Sequence, residues 1–388
     1  MRFSNKVDYI EESFLNKWDS DIKYKIAEGG DILQFNLGQP DFACPEFVKE
    51  AIIVVNGRDK NNFYNYTGGT DEVRAALADL QKKVSGLEYA KEEIIMTNGA
   101  KEALFLAFAS ILDSGDEVII IAPYWPTYIE QVRFLGGQPV VVNSKEDFSL
   151  DLEAIRKAVD EKTRAIVINN PNNPSGTTYK REDLRKIVEL ADLNDLVIIS
   201  DEVYSSTVFD GKKHISIADF PGAKERAVII DGFSKTLSMT GYRLGYALSS
   251  EEIIRNMIKV KSNINGNTNS FFQMVVEEVL LNHFDEYLAF VDMTRNEYFR
   301  RRDFLCAGLE DLGIEHKKPE GAFYVFAKIP GKMNMRSKEF TAHLLNETGV
   351  AVAPGVFFGE NYDDYFRVSF GSSMESLEKG KERIKRAI

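Results

Sequence analysis

Short apolar runs recur through the middle of the chain and predict the strands of one sheet. Each run holds three or four consecutive residues that are mostly Ile, Val, Leu and Ala, at positions 94–96, 118–121, 140–142, 165–168, 196–199, 227–230 and 246–248. Because consecutive and not only alternate positions are apolar, these strands are expected to be covered on both faces, as in parallel sheets. The pattern therefore predicts a mainly parallel sheet of about seven strands.

Between several of these runs the apolar spacing changes to that of an amphipathic helix. Two sets of positions show it, at i, i+4, i+7 and i+8 and at i, i+3, i+4 and i+7. They are Leu104, Phe108, Ile111 and Leu112, and then Leu184, Ile187, Val188 and Ala191. Strands that alternate with helices indicate an α/β fold in which helices cover the sheet.

A second region follows a long charged helical stretch over 281–312. Its pattern predicts short strands at 323–326 and 366–370, with a helix near 338–347 between them. A further short strand is expected to begin at Phe35 and to run into a Gly/Pro turn. With 388 residues, the chain is long enough for a large domain and a smaller α+β domain.

Composition excludes several classes of function. The net charge of −12 argues against nucleic acid or an anionic membrane surface as the main partner. The two cysteines, Cys44 and Cys306, form neither a disulfide framework nor a metal-ligand pattern, so we expect a cytoplasmic protein. The N-terminus carries charges where a signal peptide needs an apolar core, and no apolar run approaches the roughly 20 residues that span a bilayer.

The polar residues that follow the predicted strands are the candidates for chemistry, because ligands of such sheets bind beyond the carboxyl ends of the strands. These residues lie at 99–101, 124–125, 169–176, 201–204 and 234–235. The first group joins a small-residue turn to a helix N-terminus, which suits an anion. There is neither a G-x-G-x-x-G fingerprint nor a P-loop, so dinucleotide and nucleoside-triphosphate sites lack their usual support.

Lys235 follows the run at 227–230 and is flanked by Ser234 and, eight residues later, by Arg243. An amine in this setting can form a Schiff base, while a hydroxyl and a guanidinium can hold a phosphate. Pyridoxal 5′-phosphate requires both functions. A surface lysine and arginine in a loop are the alternative that this stretch alone leaves open.

Each of the other candidates also has a structural alternative. Trp125 suits core packing, the Asn/Pro run at 169–176 suits a turn, and Asp201 suits a helix cap. These alternatives are independent of one another, whereas a single bound cofactor explains all five groups together. We therefore favour the cofactor.

In this order and spacing, the motifs resemble those of the class I/II aminotransferases, the aspartate-aminotransferase-like branch of the fold type I pyridoxal-phosphate enzymes. The most specific parts are the segment 170–176, Asp201 with Tyr204, and Ser234-Lys235 with Gly241, Arg243 and Gly245. The resemblance implies ping-pong transfer of an amino group from an L-amino acid to a 2-oxo acid. It also implies a homodimer with shared active sites. The domains would be 45–285, which binds the cofactor, and a small domain made of 1–44 and 286–388.

The resemblance assigns roles around the cofactor ring. Lys235 would form the Schiff base and move the substrate proton, and Asp201 would pair with the pyridine nitrogen. Tyr204 and Asn173 would hydrogen-bond the phenolic oxygen, with Asn173 also reaching the substrate carboxylate. Trp125 would stack on the ring and so lie beside the substrate as well.

Further roles concern the phosphate and the substrate. Gly99, Ala100, Lys101, Ser234 and Arg243 would form the phosphate site, with backbone N–H groups supplied by the first three. Tyr64 would reach the phosphate of the neighbouring subunit, with Tyr66 as a competing assignment. The guanidinium of Arg367 would clamp the substrate α-carboxylate, which would also meet the backbone of Gly38.

Two departures from the family pattern limit what the resemblance implies. Gly232 stands where many members carry a second phosphate-binding serine. No arginine lies between Arg255 and Arg295, where one subgroup reads the distal carboxylate of aspartate. A different residue could serve that carboxylate, or the pocket could suit uncharged side chains. A carbon–sulfur β-lyase on the same fold and a non-catalytic cofactor-binding regulatory protein remain alternatives.

Overall fold

The computed structural model describes residues 4–388. The strands are β1 Leu33–Gln34, β2 Ile94–Thr97, β3 Glu117–Ala122, β4 Gln138–Asn143, β5 Thr163–Asn169, β6 Val197–Asp201, β7 Ala227–Gly232, β8 Gly245–Leu248, β9 Tyr324–Lys328, β10 Val350–Ala351, β11 Ala353–Pro354 and β12 Tyr365–Ser369. The α-helices are α1 Phe14–Ala27, α2 Glu46–Asn56, α3 Asp71–Ser85, α4 Ala100–Ile111, α5 Thr127–Phe134, α6 Leu152–Ala158, α7 Arg181–Leu193, α8 Phe233–Thr236, α9 Glu251–Ser262, α10 Ser270–Asn282, α11 Phe284–Asp311, α12 Ser337–Thr348 and α13 Met374–Ala387.

All seven apolar runs lie in one seven-stranded sheet, in the order β2-β8-β7-β6-β5-β3-β4. Every neighbouring pair from β7 to β4 is parallel, and β8 runs antiparallel to both of its neighbours. The predicted mainly parallel sheet and α/β class are therefore confirmed. Asn169 of β5 pairs in register with Asp201 of β6, which aligns the carboxyl ends of the central strands.

Both faces of the central strands are buried, as the consecutive apolar positions predicted, whereas the edge strand β4 departs from that prediction, with Val141 44% exposed. Ile198 of β6 belongs to a core shared with α7, whereas its neighbour Ile199 belongs to a second core shared with α4. Leu184 and Phe108 supply the helical sides of these two cores, respectively. Burying one such side chain contributes about 1.5–3 kcal/mol. The packed sheet thus supports the loops at its carboxyl edge.

A third core surrounds the smaller sheets of the structure. The strands β11, β12 and β9 form an antiparallel sheet in that order, and β1 pairs in parallel with β10. Phe35, Phe323, Phe340 and Leu377 meet in this core, although they come from opposite ends of the chain. The division into residues 45–285 and 1–44 with 286–388 stays a prediction, and Tyr204 and Phe209 of the first range also pack in this core.

The prediction of a strand that begins at Phe35 is wrong in position, because β1 ends at Gln34. Phe35 still donates its N–H to the carbonyl of Ala351, but the chain bends at Asn36 and regular pairing does not continue. The carbonyl of Gly38 is used instead by the lysine described below. Within residues 4–388, no helix is both long enough and apolar enough to cross a membrane.

Candidate active site

Lys235 lies at the carboxyl edge of the large sheet, in the short helix α8 directly after β7. Gly232 faces Gly245 across the strands so closely that an added Cβ on Gly232 would lie 2.9 Å from the Cα of Gly245. The Lys235 ammonium donates a hydrogen bond to the carbonyl oxygen of Gly38. Burial lowers the pKa of Lys235 to about 8, and Arg367 and Arg243 act in the same direction. The lysine is therefore easier to convert into a nucleophilic amine than an exposed one.

Asp201 ends the neighbouring strand β6 and is buried. Its carboxylate accepts a hydrogen bond from the Tyr128 hydroxyl at 2.6 Å and one from the Val203 amide at 3.4 Å. Burial raises the pKa of Asp201 to about 6, and these two donors oppose that rise. The carboxylate thus keeps acceptor capacity toward a cationic N–H group.

Tyr128 is a residue of this site that sequence reasoning missed. It lies in α5, three positions after Trp125, and the two rings meet edge to face at 5.6 Å. Its hydroxyl is the side-chain partner of Asp201. The aromatic spacing at 125 and 128 was the available signal, but nothing in the sequence connected it to Asp201, 73 positions away.

Glu202 anchors the loop that follows Asp201. Its side chain accepts hydrogen bonds from Ser200 at 2.7 Å and Ser216 at 3.0 Å, and it pairs with His214 at 2.7 Å. All three contacts are made by the side chain of Glu202, which directly follows Asp201 in the chain. They hold the backbone at 201–204 in place and so fix the directions of the Asp201 and Tyr204 side chains.

Arg367 belongs to β12 and is 3% exposed. It donates to the Asn173 side-chain oxygen at 2.8 Å and to the Asn36 carbonyl at 2.6 Å. Its guanidinium lies 4.3 Å from the Tyr324 ring centre and 4.8 Å from that of Phe358. Among residues 4–388, no carboxylate oxygen lies within 4 Å of this buried cation, and its Nε has no hydrogen-bond partner. A planar guanidinium in this state is suited to a carboxylate ligand.

Gly99 and Arg243 form a cradle at the start of α4. Gly99 has φ +84°, and an added Cβ there would lie 2.6 Å from a terminal nitrogen of Arg243. The N–H groups of Ala100 and Lys101 precede the first hydrogen bonds of the twelve-residue helix, so they are free to bind an anion. Ser234, the predicted hydroxyl of this site, lies beside Lys235 in α8.

The charge of Arg243 is also not neutralised by the described chain. Its guanidinium donates to the carbonyl oxygens of Thr240 at 3.0 Å and Asn98 at 3.3 Å, and to no carboxylate in the part of the chain that the structure covers. Two backbone carbonyls orient the guanidinium without cancelling its charge. Together with the helix N-terminus, this donor set fits a phosphate group.

Trp125 and Lys101 lie together at the rim of this site. The Lys101 ammonium is 5.1 Å from the Trp125 ring centre, and no acidic group of residues 4–388 lies within 4 Å of it. Partial burial lowers the pKa of Lys101, and nearby Arg243 adds to that effect. A third cation without a carboxylate partner thus faces the same region.

Tyr64 is the one predicted site residue that does not lie with the others in the described part of the single chain. It is 97% exposed, whereas Tyr66 is 54% exposed and lies under the guanidinium of Arg74, 5.0 Å from its ring centre. Lys235, Asp201, Tyr204, Asn173, Arg367 and Gly38 instead converge from five segments of one chain. No cluster of metal-binding side chains was found within the described residues.

Comparison with known proteins agrees with this geometry. Residues 30–384 match the family model described as aminotransferase class I and II. The chain belongs to the class I and II aminotransferase family. It is therefore a transaminase, which moves an amino group between an amino acid and a 2-oxo acid, and the enzymes of this family depend on pyridoxal 5′-phosphate.

The relatives of this aminotransferase carry related names. The chain is 39% identical over 371 residues to the aspartate/prephenate aminotransferase of Thermus thermophilus, covering 93% of this chain and 92% of that protein. It is 36% identical over 398 residues to the aspartate aminotransferase of Bacillus subtilis, covering 100% and 99%. It also resembles the solved structure of the Thermus thermophilus aspartate aminotransferase with maleate, with a TM-score of 0.95, 36% identity and full coverage of both chains.

Proposed function

We propose that this aminotransferase holds pyridoxal 5′-phosphate on Lys235 and exchanges amino groups between an acidic amino acid and a 2-oxo acid. The observation that carries the proposal is that Arg243 and Arg367 both act on the pKa of Lys235, yet neither has a carboxylate partner within residues 4–388. One cation suits the cofactor phosphate and the other suits the substrate carboxylate. Bound there, the cofactor supplies a ring that withdraws electrons from the substrate α-carbon.

Each side chain around Lys235 then has a separate task. Lys235 carries the proton that leaves the substrate α-carbon, and Asp201 holds the N–H of the cofactor ring. Tyr204 and Asn173 donate hydrogen bonds to the phenolic oxygen, and Trp125 covers one face of the ring. Ser234 and the N–H groups of Gly99, Ala100 and Lys101 join Arg243 at the phosphate. Arg367 and the backbone of Gly38 orient the substrate carboxylate.

We also propose that the enzyme works as a homodimer in which Tyr64 completes the phosphate site of the partner. The nearly full exposure of Tyr64 in the single chain supports this, because a phenol needs a partner surface to be useful there. Phe63 beside it is 69% exposed, which gives the same loop an apolar contact surface. A cytoplasmic location remains a prediction from the cysteine content.

Removing the Tyr64 hydroxyl should weaken the binding of the cofactor. We expect Tyr64→Phe to raise the dissociation constant of pyridoxal 5′-phosphate about tenfold, since one hydrogen bond to a charged group contributes about 1.5 kcal/mol. The matched control is Tyr66→Phe, which removes the same atom two residues later and should leave the dissociation constant unchanged. Equilibrium dialysis measures both. A large effect of Tyr66→Phe with none of Tyr64→Phe would reverse the assignment.

The preference for an acidic substrate is proposed to depend on Lys101. The relatives named above are aspartate aminotransferases, yet this chain has no arginine between Arg255 and Arg295. The ammonium of Lys101, beside Trp125 and without an acidic partner in the described chain, is suited to a distal carboxylate. In this arrangement the neighbouring Arg243 binds the cofactor phosphate, and Lys101 binds the distal carboxylate of the substrate.

A panel of amino donors tests this preference. Lys101→Met should lower kcat/KM for aspartate about 10- to 100-fold, because an unpaired carboxylate costs about 1.5–3 kcal/mol, and should change the value for alanine little. The control is Lys259→Met on α9, whose ammonium forms no ion pair in the described chain and lies outside the site. An equal loss for aspartate and alanine would show that Lys101 serves the cofactor and not the side chain of the substrate.

A further inference from the structure

Tyr324 is a second buried residue that sequence reasoning missed. It begins β9 in the three-stranded sheet, whereas Tyr204 follows β6 of the seven-stranded sheet. Their hydroxyl oxygens lie 2.7 Å apart, and their rings meet edge to face at 5.7 Å. The pair thus joins the two sheets.

The surroundings of the Tyr324 hydroxyl are crowded on the side of Gly38. A Cβ added to Gly38 would lie 2.3 Å from this oxygen, so any side chain at position 38 would displace it. Gly38 also accepts the hydrogen bond from Lys235. The hydroxyl therefore has one fixed position, and Tyr204 is its hydrogen-bond partner in the described chain.

The direction of the hydrogen bond follows from the neighbouring charges. Burial raises the pKa of both phenols, but the Arg367 guanidinium lies over the Tyr324 ring and opposes that rise as the next largest effect on Tyr324. Arg367 also lowers the pKa of Tyr204, but there it is a smaller effect. Because the guanidinium lies directly over the Tyr324 ring, 4.3 Å from its centre, Tyr324 is the better donor of the two. When it donates, the oxygen of Tyr204 is occupied as an acceptor, and the Tyr204 hydrogen is free to point elsewhere.

We propose that Tyr324 is a positioning residue whose hydroxyl donates to Tyr204 and so directs the Tyr204 hydrogen toward the phenolic oxygen of the cofactor. This inference rests on the proposed function, because it needs the cofactor on Lys235. Donation from Tyr324 also polarises the Tyr204 hydroxyl, since successive hydrogen bonds strengthen one another. The contact at the phenolic oxygen is then stronger than Tyr204 alone would provide.

The acidity of the lysine-linked cofactor reports this contact, and it can be read from visible absorbance without turnover. A hydrogen bond donated to the phenolic oxygen stabilises the deprotonated, more negative form, so weakening the bond raises the pKa of the chromophore. The charged groups that act on the two hydroxyls are Arg367 from β12 and Asp201 from β6, and Lys235 from α8 lies near them through its hydrogen bond to Gly38. Conversion of Tyr324 to Phe leaves all three in place.

The test compares absorbance titrations of the wild type with Tyr324→Phe, Tyr204→Phe and the double variant. We expect Tyr324→Phe to raise the pKa of the chromophore by about 0.5, and Tyr204→Phe to raise it further. Since Tyr324 acts through Tyr204, the double variant should titrate like Tyr204→Phe alone. Tyr365→Phe on β12, which removes a phenol from the same sheet but outside the site, should titrate like the wild type.

The outcomes separate the inference from the proposed function. A Tyr324→Phe titration identical to that of the wild type would overturn the inference. An equal shift in the presence and absence of the Tyr204 hydroxyl would also overturn it, because Tyr324 would then act by another route. If the wild type itself forms no lysine-linked chromophore, the proposed function fails first. Melting temperatures of the Phe variants check that each protein is folded at the pH values compared.

Discussion

Lys235→Ala is expected to abolish transamination, with a loss of kcat on the order of 10⁴-fold or more, because the Schiff base and the proton carrier disappear together. Lys235 is the amine that lies among Arg367, Arg243 and Asp201, all of which act on its pKa. Steady-state assays with saturating cofactor measure the loss.

Two controls make this result specific to Lys235. Lys186→Ala removes an exposed lysine from α7 and should keep full activity. Added small primary amines should restore part of the activity of Lys235→Ala, since they can carry the missing proton but cannot hold the cofactor. Substantial turnover by Lys235→Ala without added amine would contradict the assignment of this residue.

Asp201→Asn is expected to retain cofactor while losing about 10²- to 10⁴-fold in kcat, because a neutral amide cannot keep a cationic N–H on the cofactor ring. The side chain keeps its volume, and the Tyr128 hydroxyl keeps an acceptor at position 201. The loss should therefore appear in kcat and not in the binding of pyridoxal 5′-phosphate, and stopped-flow measurement of the first half-reaction isolates it.

The control for Asp201 is a carboxylate outside the site. Asp219 pairs with Arg181 at 3.5 Å and is partly buried, so Asp219→Asn removes a comparable charge without touching Lys235. It should keep the rate of the wild type. A half-reaction in Asp201→Asn as fast as that in Asp219→Asn would exclude a role for Asp201 at the cofactor ring.

Most of the large sheet was predictable because a strand buried on both faces needs consecutive apolar residues. Ile198 and Ile199 illustrate this, since the two neighbours enter different cores. The position of β1 was not predictable, because Phe35 is buried by packing in the small-sheet core and not by regular pairing beyond Gln34. Burial and strand pairing leave the same apolar signal in a sequence.

The candidate site was predictable where polar residues follow a predicted strand or where a family motif marks them. Tyr128 and Tyr324 carry no such mark, and they reach Asp201 and Tyr204 across 73 and 120 positions of the chain. Those distances in sequence are closed by tertiary packing, which no local pattern encodes. Lys101 was expected to contribute its backbone N–H, whereas the stacking of its ammonium on Trp125 gives the side chain a separate proposed role.

The central claim is that this chain moves nitrogen from an amino acid to a 2-oxo acid through Lys235. The most direct test incubates the protein and pyridoxal 5′-phosphate with ¹⁵N-labelled aspartate and 2-oxoglutarate, and follows the label by mass spectrometry. The account predicts labelled glutamate formed in equal amount with oxaloacetate by the wild type and none by Lys235→Ala. Label that appears as free ammonia, without glutamate, would contradict it and would indicate lyase chemistry instead.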